Sequence, residues 1–501
     1  MKAGEAGLAQ RSSGMVAQFP ATQAPALQAI ARNRFGLGAR QADPPKADPR
    51  GWLLGQFASY EPRPAVIAAT PGSAIMARQF REYLAQIRPF LAANGLAAGD
   101  MAAAPLSDAD SKTQEQAIRA ALRREYRDSY GGQARARIAS ALTTETPFAE
   151  RLVHFWANHF AVSADKLQTI GLAGTLEFEA IRPHIGGRFI DMLLAVERHP
   201  AMLLYLDQAQ SIGPDSPLGQ AARARNARRQ PGLNENLARE ILELHTLGVG
   251  NYAQGDVLEL ARGLTGWSIG GFVRRPIGIE APDGAFVFQP NWHEPGARRL
   301  LGTSYAQPGE AQARAMLADL AVHLATARHL ATKLARHFVA DVPPPALVDR
   351  LAAAHIASGG DLMALYRVLI EAPESWAVPT PKFKTPWDWT ISALRAVGAG
   401  TADLRTVAAL NELGQPVWRP GSPAGWDDTA ASWAAPDALL RRVETAGRIA
   451  ATVGDRIDAR VLAPQLLPGV LSAATAQAIA RADRPQQGLA LLLAAPEFLR
   501  R

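Results

Sequence analysis

Asn234-Glu235-Asn236-Leu237-Ala238-Arg239-Glu240-Ile241-Leu242-Glu243-Leu244-His245-Thr246-Leu247-Gly248 is the most informative stretch of this 501-residue chain. Asn234 is a good N-cap and Gly248 a good stop, so the spacing predicts a helix over 235–247. Leu237, Ile241 and Leu244 form an apolar stripe at i, i+4, i+7. Asn236, Glu240 and Glu243 form a polar stripe at the same spacing. Two carboxylates three apart on one face can bridge a divalent metal ion, with His245 as a further ligand, or can serve as acid and base. Against this stands a plain reading in which Arg239 and Glu243, at i, i+4, form a surface pair worth only tenths of a kcal/mol. Both readings stay open on the sequence alone.

Working outward, the same helical period recurs through most of the chain. It is read in 26–40, 51–60, 74–127 (interrupted at 94–110), 134–160, 174–181, 187–209, 255–264, 309–371 and from about 386 to the end. The texture changes only where short β-branched and aromatic runs flank Pro282-Asp283-Gly284, a hairpin signal. The fold class is therefore mainly α: a large multi-helix globular fold with a small β-hairpin excursion near 271–289. Residues 1–27 read as a disordered tail, 28–380 as the main helical domain, and 381–501 as a C-terminal helical region packed on it. A long loop is expected at 211–234. Its arginines at 222–229 suit either a solvated excursion or a flap over an anion.

Composition narrows the function classes. Hydrophobic residues make up 48% and charged residues 20%, enough apolar surface to offset ordering entropy, so the chain is not disordered. The absence of cysteine excludes thiolate catalysis, disulfides, iron–sulfur clusters and cysteine zinc sites. A net charge of +7, nearly all of it arginine, is too mild an excess to argue for nucleic acid. No run approaches the ~20 apolar residues of a membrane helix. With no apolar leader segment visible, the sequence as written reads as cytoplasmic.

Three histidine contexts stand out. In Glu150–Phe160 (ERLVHFWANHF), His154 and Asn158 share a helix face. His154 and His159 lie five positions apart and cannot chelate one metal as an i, i+4 pair would. Each is either a packing residue or a pocket-facing ligand or base. His293, in Asn291-Trp292-His293-Glu294-Pro295-Gly296, lies in a loop, free to meet a ligand or to bond backbone. His199-Pro200 opens a helix whose far end carries Asp207, where the macrodipole disfavours an anion, so a partner such as arginine is expected. Gly266-Trp267 and Gly425-Trp426 are read as rings packed on bare backbone rather than as ligand platforms.

The segment NENLAREILELHTLGVGNYAQGDVLELARGLTGW (234–267) resembles the hallmark of a bacterial family called "domain of unknown function 1800". IARNRFGLGAR, LVHFWANHFAVS, HPAMLLYLDQAQS, WHEPGARRLLG, KTPWDWTISALRAVG, GQPVWRPGSPAGWDD and LLLAAPEFLRR fit its pattern in order, from about residue 28 to the end. The resemblance implies a predominantly helical fold. It also implies export in many members and a genetic neighbour of sulfatase-like type as a partner. It assigns no catalytic residue, so the candidate site rests on chemistry: Glu240, Glu243, His159 and His293 as catalytic groups, and Glu240, Glu243 and His245 as metal ligands. The resulting expectation is an enzyme with a carboxylate/histidine site, with a divalent metal as its cofactor in one version. The alternative is a non-catalytic binding or assembly protein partnering the sulfatase-like product.

Overall fold

The computed structural model describes residues 24–41, 43–93, 109–225, 232–271, 279, 281–378, 382–401 and 403–501. Helices dominate, and β-structure among these residues is confined to two small antiparallel two-stranded sheets, as the periodicity predicts. The described residues begin with α1 (Ala24–Ile30), whose first four residues fall in the stretch 1–27 read as a tail; residues 1–23 lie outside the described set. α1 runs on into a wider π-turn, Ala31–Phe35. That extra residue per turn aims Arg34 at the carbonyls of Ser375 and Ala377 (3.0 Å for the latter).

The helices that position the site are α2 (Pro147–His159), α3 (Phe189–Glu197), α4 (Pro200–Tyr205), α5 (Pro217–Ala224), α6 (Asn236–Glu240) and α7 (Gln254–Leu264). They are followed by α8 (Leu324–Phe338), α9 (Pro386–Ala396), α10 (Pro436–Val453) and α11 (Pro485–Ala494). Six of them (α2, α4, α5, α9, α10 and α11) carry proline in the first turn, where its missing N–H costs nothing. α4 starts at Pro200 as expected, with His199 Nδ1 accepting the Ala201 N–H at 3.2 Å. Asp207 lies beyond the end of α4 in left-handed backbone (φ 57°), and its carboxylate meets Lys166 at 3.3 Å rather than an arginine.

The interval 211–234 is not a structureless loop. Ser216 caps α5 by accepting the Gly219 N–H at 3.1 Å, and Glu294 accepts the Asp215 N–H at 2.8 Å. Short caps of this kind left no apolar period to read. Of the arginine-rich 222–229 stretch, residues 226–229 lie outside the described set; Arg223 pairs with Asp215 at 2.7 Å.

In the hairpin region, β1 (Trp267–Ile269) pairs with β2 (Phe286–Phe288) in the register Trp267↔Phe288, so the strands bracket the expected excursion. Pro282-Asp283-Gly284 is not its tip. Gly284 (φ +76°) packs on the backbone of Ser73 and Ala74, and Asp283 meets Arg81 at 3.0 Å. A second hairpin, β3 (Arg298–Leu300) with β4 (Thr303–Tyr305), turns through Leu301 and Gly302, both at positive φ. Three-residue strands give too little alternation to be read from sequence.

Buried apolar residues gather in two clusters. The larger runs from Ile30 to Trp418 and includes Trp156, Tyr366 and Trp387. The smaller joins Trp389 and Ala393 of α9 to α10, α11 and Phe498. Polar groups thread between them: Arg501, fully buried, meets Asp388 at 3.2 Å and Asp428 at 3.4 Å, and its backbone N–H donates to the Lys382 carbonyl at 2.8 Å. No described helix is long and apolar enough to cross a membrane.

Candidate functional site

The sequence-nominated residues fall into three places. The 234–248 stretch forms α6 and then a π-turn, Ile241–His245, with Asn234 Oδ1 accepting the Asn236 N–H at 2.8 Å. Gly248 (φ +82°) ends it, and a Cβ there would lie 2.9 Å from His329 Nδ1. Arg239 pairs with Glu235 at 3.0 Å rather than with Glu243, whose carboxylate accepts from the Tyr252 hydroxyl at 2.5 Å. Asn236 is exposed, and Glu240 and Glu243 are half-buried. Burial raises the Glu240 carboxyl above its ordinary range, partly offset by His245. No imidazole forms a hydrogen bond or ion pair with Glu240 or Glu243 among the described residues, and no group of three or more His, Asp or Glu there is arranged to hold a metal ion.

His245 is fully buried and donates from Nδ1 to Glu197 of α3 at 2.7 Å. Its Nε2 and Glu197 Oε2 have no hydrogen-bond partner. The carbonyls at the end of the π-turn, which have no partner within the helix, are taken by imidazoles. His159 Nε2 donates to the His245 carbonyl at 3.1 Å and His329 Nε2 to that of Leu244 at 3.0 Å. Those bonds fix the tautomers and leave each Nδ1 with a lone pair. His293 is separate. Half-buried, it donates from Nδ1 to the Thr265 carbonyl at 3.0 Å and stands edge-on to Phe288.

His159 also lines a cavity of about 620 Å³, which is where several motif segments meet. One wall is α2, presenting Arg151, His154, Phe155, Asn158 and His159. The facing wall is α8, presenting His329, Lys333, Arg336 and His337 at i, i+4, i+7 and i+8. The start of α9 supplies Trp387 and Asp388, and the loop Gln415–Asp428 closes the remaining side with Trp418 and Trp426. Asn158 holds that loop: its Nδ2 donates to the Trp426 carbonyl at 2.8 Å and its Oδ1 accepts the Trp426 N–H at 2.7 Å. Gly425 permits it, because at φ +78° a Cβ would stand 2.3 Å from the Asn158 carbonyl oxygen.

The lining is charged and mostly cross-braced. Arg151 pairs with Asp388 at 3.0 Å. Arg137 pairs with Glu177 at 2.8 Å and lies over the rings of Trp387 (4.2 Å) and Trp418 (5.3 Å). His337 donates to Asp428 at 2.5 Å, and Lys382 reaches Asp428 at 3.4 Å. Burial would raise the Asp388 carboxyl, but Arg151 and Arg501 hold it well below the usual carboxylate range. Burial, reinforced by Arg137 for His154 and by Lys333 for His159, keeps both imidazoles neutral. His154 Nδ1 accepts the Trp387 indole N–H at 3.1 Å, and its Nε2 has no hydrogen-bond partner.

Lys333 differs from its neighbours. Its ammonium forms no hydrogen bond or ion pair among the described residues, and burial lowers it to about 8, Asp428 opposing and Arg336 assisting. The sequence reading missed Lys333, His329 and His337. Their signal was present in Ala327-Arg328-His329-Leu330-Ala331-Thr332-Lys333-Leu334-Ala335-Arg336-His337: a basic stripe at helical spacing on an otherwise Ala/Leu helix. The packing partner that would make such a stripe face inward cannot be seen from one helix.

Residues 30–500 match the profile of the family described as Protein of unknown function (DUF1800). The chain belongs to the DUF1800 family. The match covers nearly the whole molecule, so α2, α8, α9 and the 415–428 loop all fall within the family's extent. No curated protein and no solved structure shows significant similarity to it.

Proposed function

We propose that this DUF1800 protein is an enzyme acting on a small organic anion, and that the α2–α8 cavity is its active site. The observation that supports this reading is an imbalance. The lining carries four permanent or titratable cations (Arg137, Arg151, Lys333, Arg336) against three carboxylates (Asp388, Asp427, Asp428). Among the described residues Lys333 and Arg336 have no carboxylate partner, and of the two only Arg336 has a hydrogen bond, to the Asp341 carbonyl at 3.4 Å. A desolvated ammonium left without a partner costs free energy that a bound anion would recover. The indoles of Trp387, Trp418 and Trp426 and the ring of Phe155 add flat apolar surface, which suits an organic rather than an inorganic ion. Lys333 supplies a group that exchanges a proton near neutral pH, the property a general acid–base needs.

The carboxylate/histidine reading keeps one specific support. His245 Nε2, oriented by Glu197 through Nδ1, is the arrangement of a base held in one tautomer, with Glu240 unpaired nearby. A divalent metal on Glu240, Glu243 and His245 has no such support among the described residues.

The test uses tryptophan fluorescence. Benzoate and phenyl phosphate are titrated into the protein alongside benzamide, the neutral counterpart of benzoate. Saturable quenching by the acids, at least about tenfold weaker for benzamide, is expected from loss of a charge-assisted contact worth about 1.5 kcal/mol or more. Equal quenching by acid and amide, or none by any of them, would contradict the reading.

A further inference from the structure

Seven of the 53 basic residues are lysines, and arginine is used almost everywhere else. Of the seven, Lys333 lines the cavity, and Lys382 pairs with Asp428 of its lining at 3.4 Å, with Lys384 two residues on. Lys382 reaches Asp341 at 2.7 Å, and Lys384 reaches Ser392 at 3.1 Å beside the Phe498 ring. Lys333 has neither kind of partner and opens onto the cavity itself. Its position calls for an amine rather than a charge, since arginine would supply charge equally well and cannot give up its proton.

Resting on the proposed function, and naming its substrate class, we propose that Lys333 is a reacting amine that condenses with the carbonyl of an oxo acid. The Nζ lone pair of the free amine adds to the carbonyl carbon, and one of the two amine protons passes to the carbonyl oxygen. The second amine proton leaves with that hydroxyl as water, which leaves a C=N bond. No electrons are transferred and no co-reactant is needed. Arg336, one turn along the same helix face, and Arg151 across the cavity provide cations for the carboxylate. His159, whose Nε2 is committed to the His245 carbonyl, keeps an unpartnered Nδ1 lone pair, and Lys333 is the charge that acts on it most strongly. With its conjugate acid near 8, a far larger share of Lys333 is free amine at neutral pH than for a solvent-exposed lysine.

The experiment incubates the full chain with phenylglyoxylate and sodium cyanoborohydride and maps the labelled lysines by mass spectrometry. Reductive labelling is expected at Lys333, about tenfold or more faster than at the other six lysines, and slowed by benzoate. The Lys333→Arg variant should lose that label while its circular dichroism and thermal unfolding stay those of the parent chain. Labelling spread evenly over the lysines, or none at Lys333 while benzoate still quenches, overturns the imine and leaves the anion site standing. Absence of both label and quenching overturns the two together.

Discussion

At the scale of single residues, most of the cavity's charges sit beside an identifiable partner, which makes the loss of that partner predictable. Asp388, itself buried, neutralises Arg151 and Arg501. Asp388→Asn would leave two guanidinium groups under-compensated, and loss of about 3–5 kcal/mol is expected in urea unfolding, the cost of breaking a buried pair. Lys333 acts the other way. Its folded value of about 8 lies below the ordinary 10.5, so between those values the unfolded chain binds more protons. Stability therefore rises as pH increases from about 8 toward 10.5. Benzoate affinity should fall over the onset of that window, as the ammonium is lost. Titrations at pH 6.5 and 9.5 check this, and Lys333→Met should flatten the difference. Glu240, the residue singled out first from sequence, was legible as a desolvated carboxylate but not as a neighbour of any distant imidazole, because helical spacing says which residues share a face and nothing about what that face meets.

Among elements, the informative ones are those that depart from regular geometry. Of the three π-turns among the described residues, Ala31–Phe35 and Ile241–His245 lie within motif segments and Leu176–Ile181 does not. Ile241–His245 swings the Leu244 and His245 carbonyls toward two imidazoles. A 3.6-residue period predicts the helix but not the inserted residue, so the bond that fixes His159's tautomer was not readable. The Gly-Trp signal fared differently. Gly425-Trp426 was read as an aromatic ring packed on bare backbone; the close approach at Gly425 is to the Asn158 carbonyl, and Trp426 lines the cavity. Gly425→Ala should unseat the 415–428 loop, since its φ and its approach to Asn158 both exclude a side chain. A cost of about 1–3 kcal/mol in thermal unfolding is expected, together with a weakened benzoate response. Asn158→Ala, which removes both bonds to Trp426, should weaken binding with a smaller stability loss of about 1–2 kcal/mol.

For the whole molecule, helical class and family membership were both legible, because periodicity and ordered motifs survive without any tertiary information. The partition at residue 380 was an inference from a proline-rich link. The larger apolar cluster nonetheless includes Trp387, Ile391, Leu410 and Trp418, and ionic contacts bind Asp388, Asp428 and Arg501 to Arg151 and His337. A chain ending at residue 380 is therefore expected to lack cooperative thermal unfolding by circular dichroism; a sharp transition in that fragment would show that residues 28–380 form a self-sufficient core. What no sequence pattern revealed is that segments separated by more than 200 residues enclose one cavity with a surplus of positive charge.

That surplus is open to direct inspection by iodide soaking of crystals, with anomalous scattering to locate the ions. The account predicts an iodide inside the cavity in contact with Lys333 Nζ, absent in Lys333→Met crystals. Iodide found only at outer arginines, with nothing between α2 and α8, would contradict it.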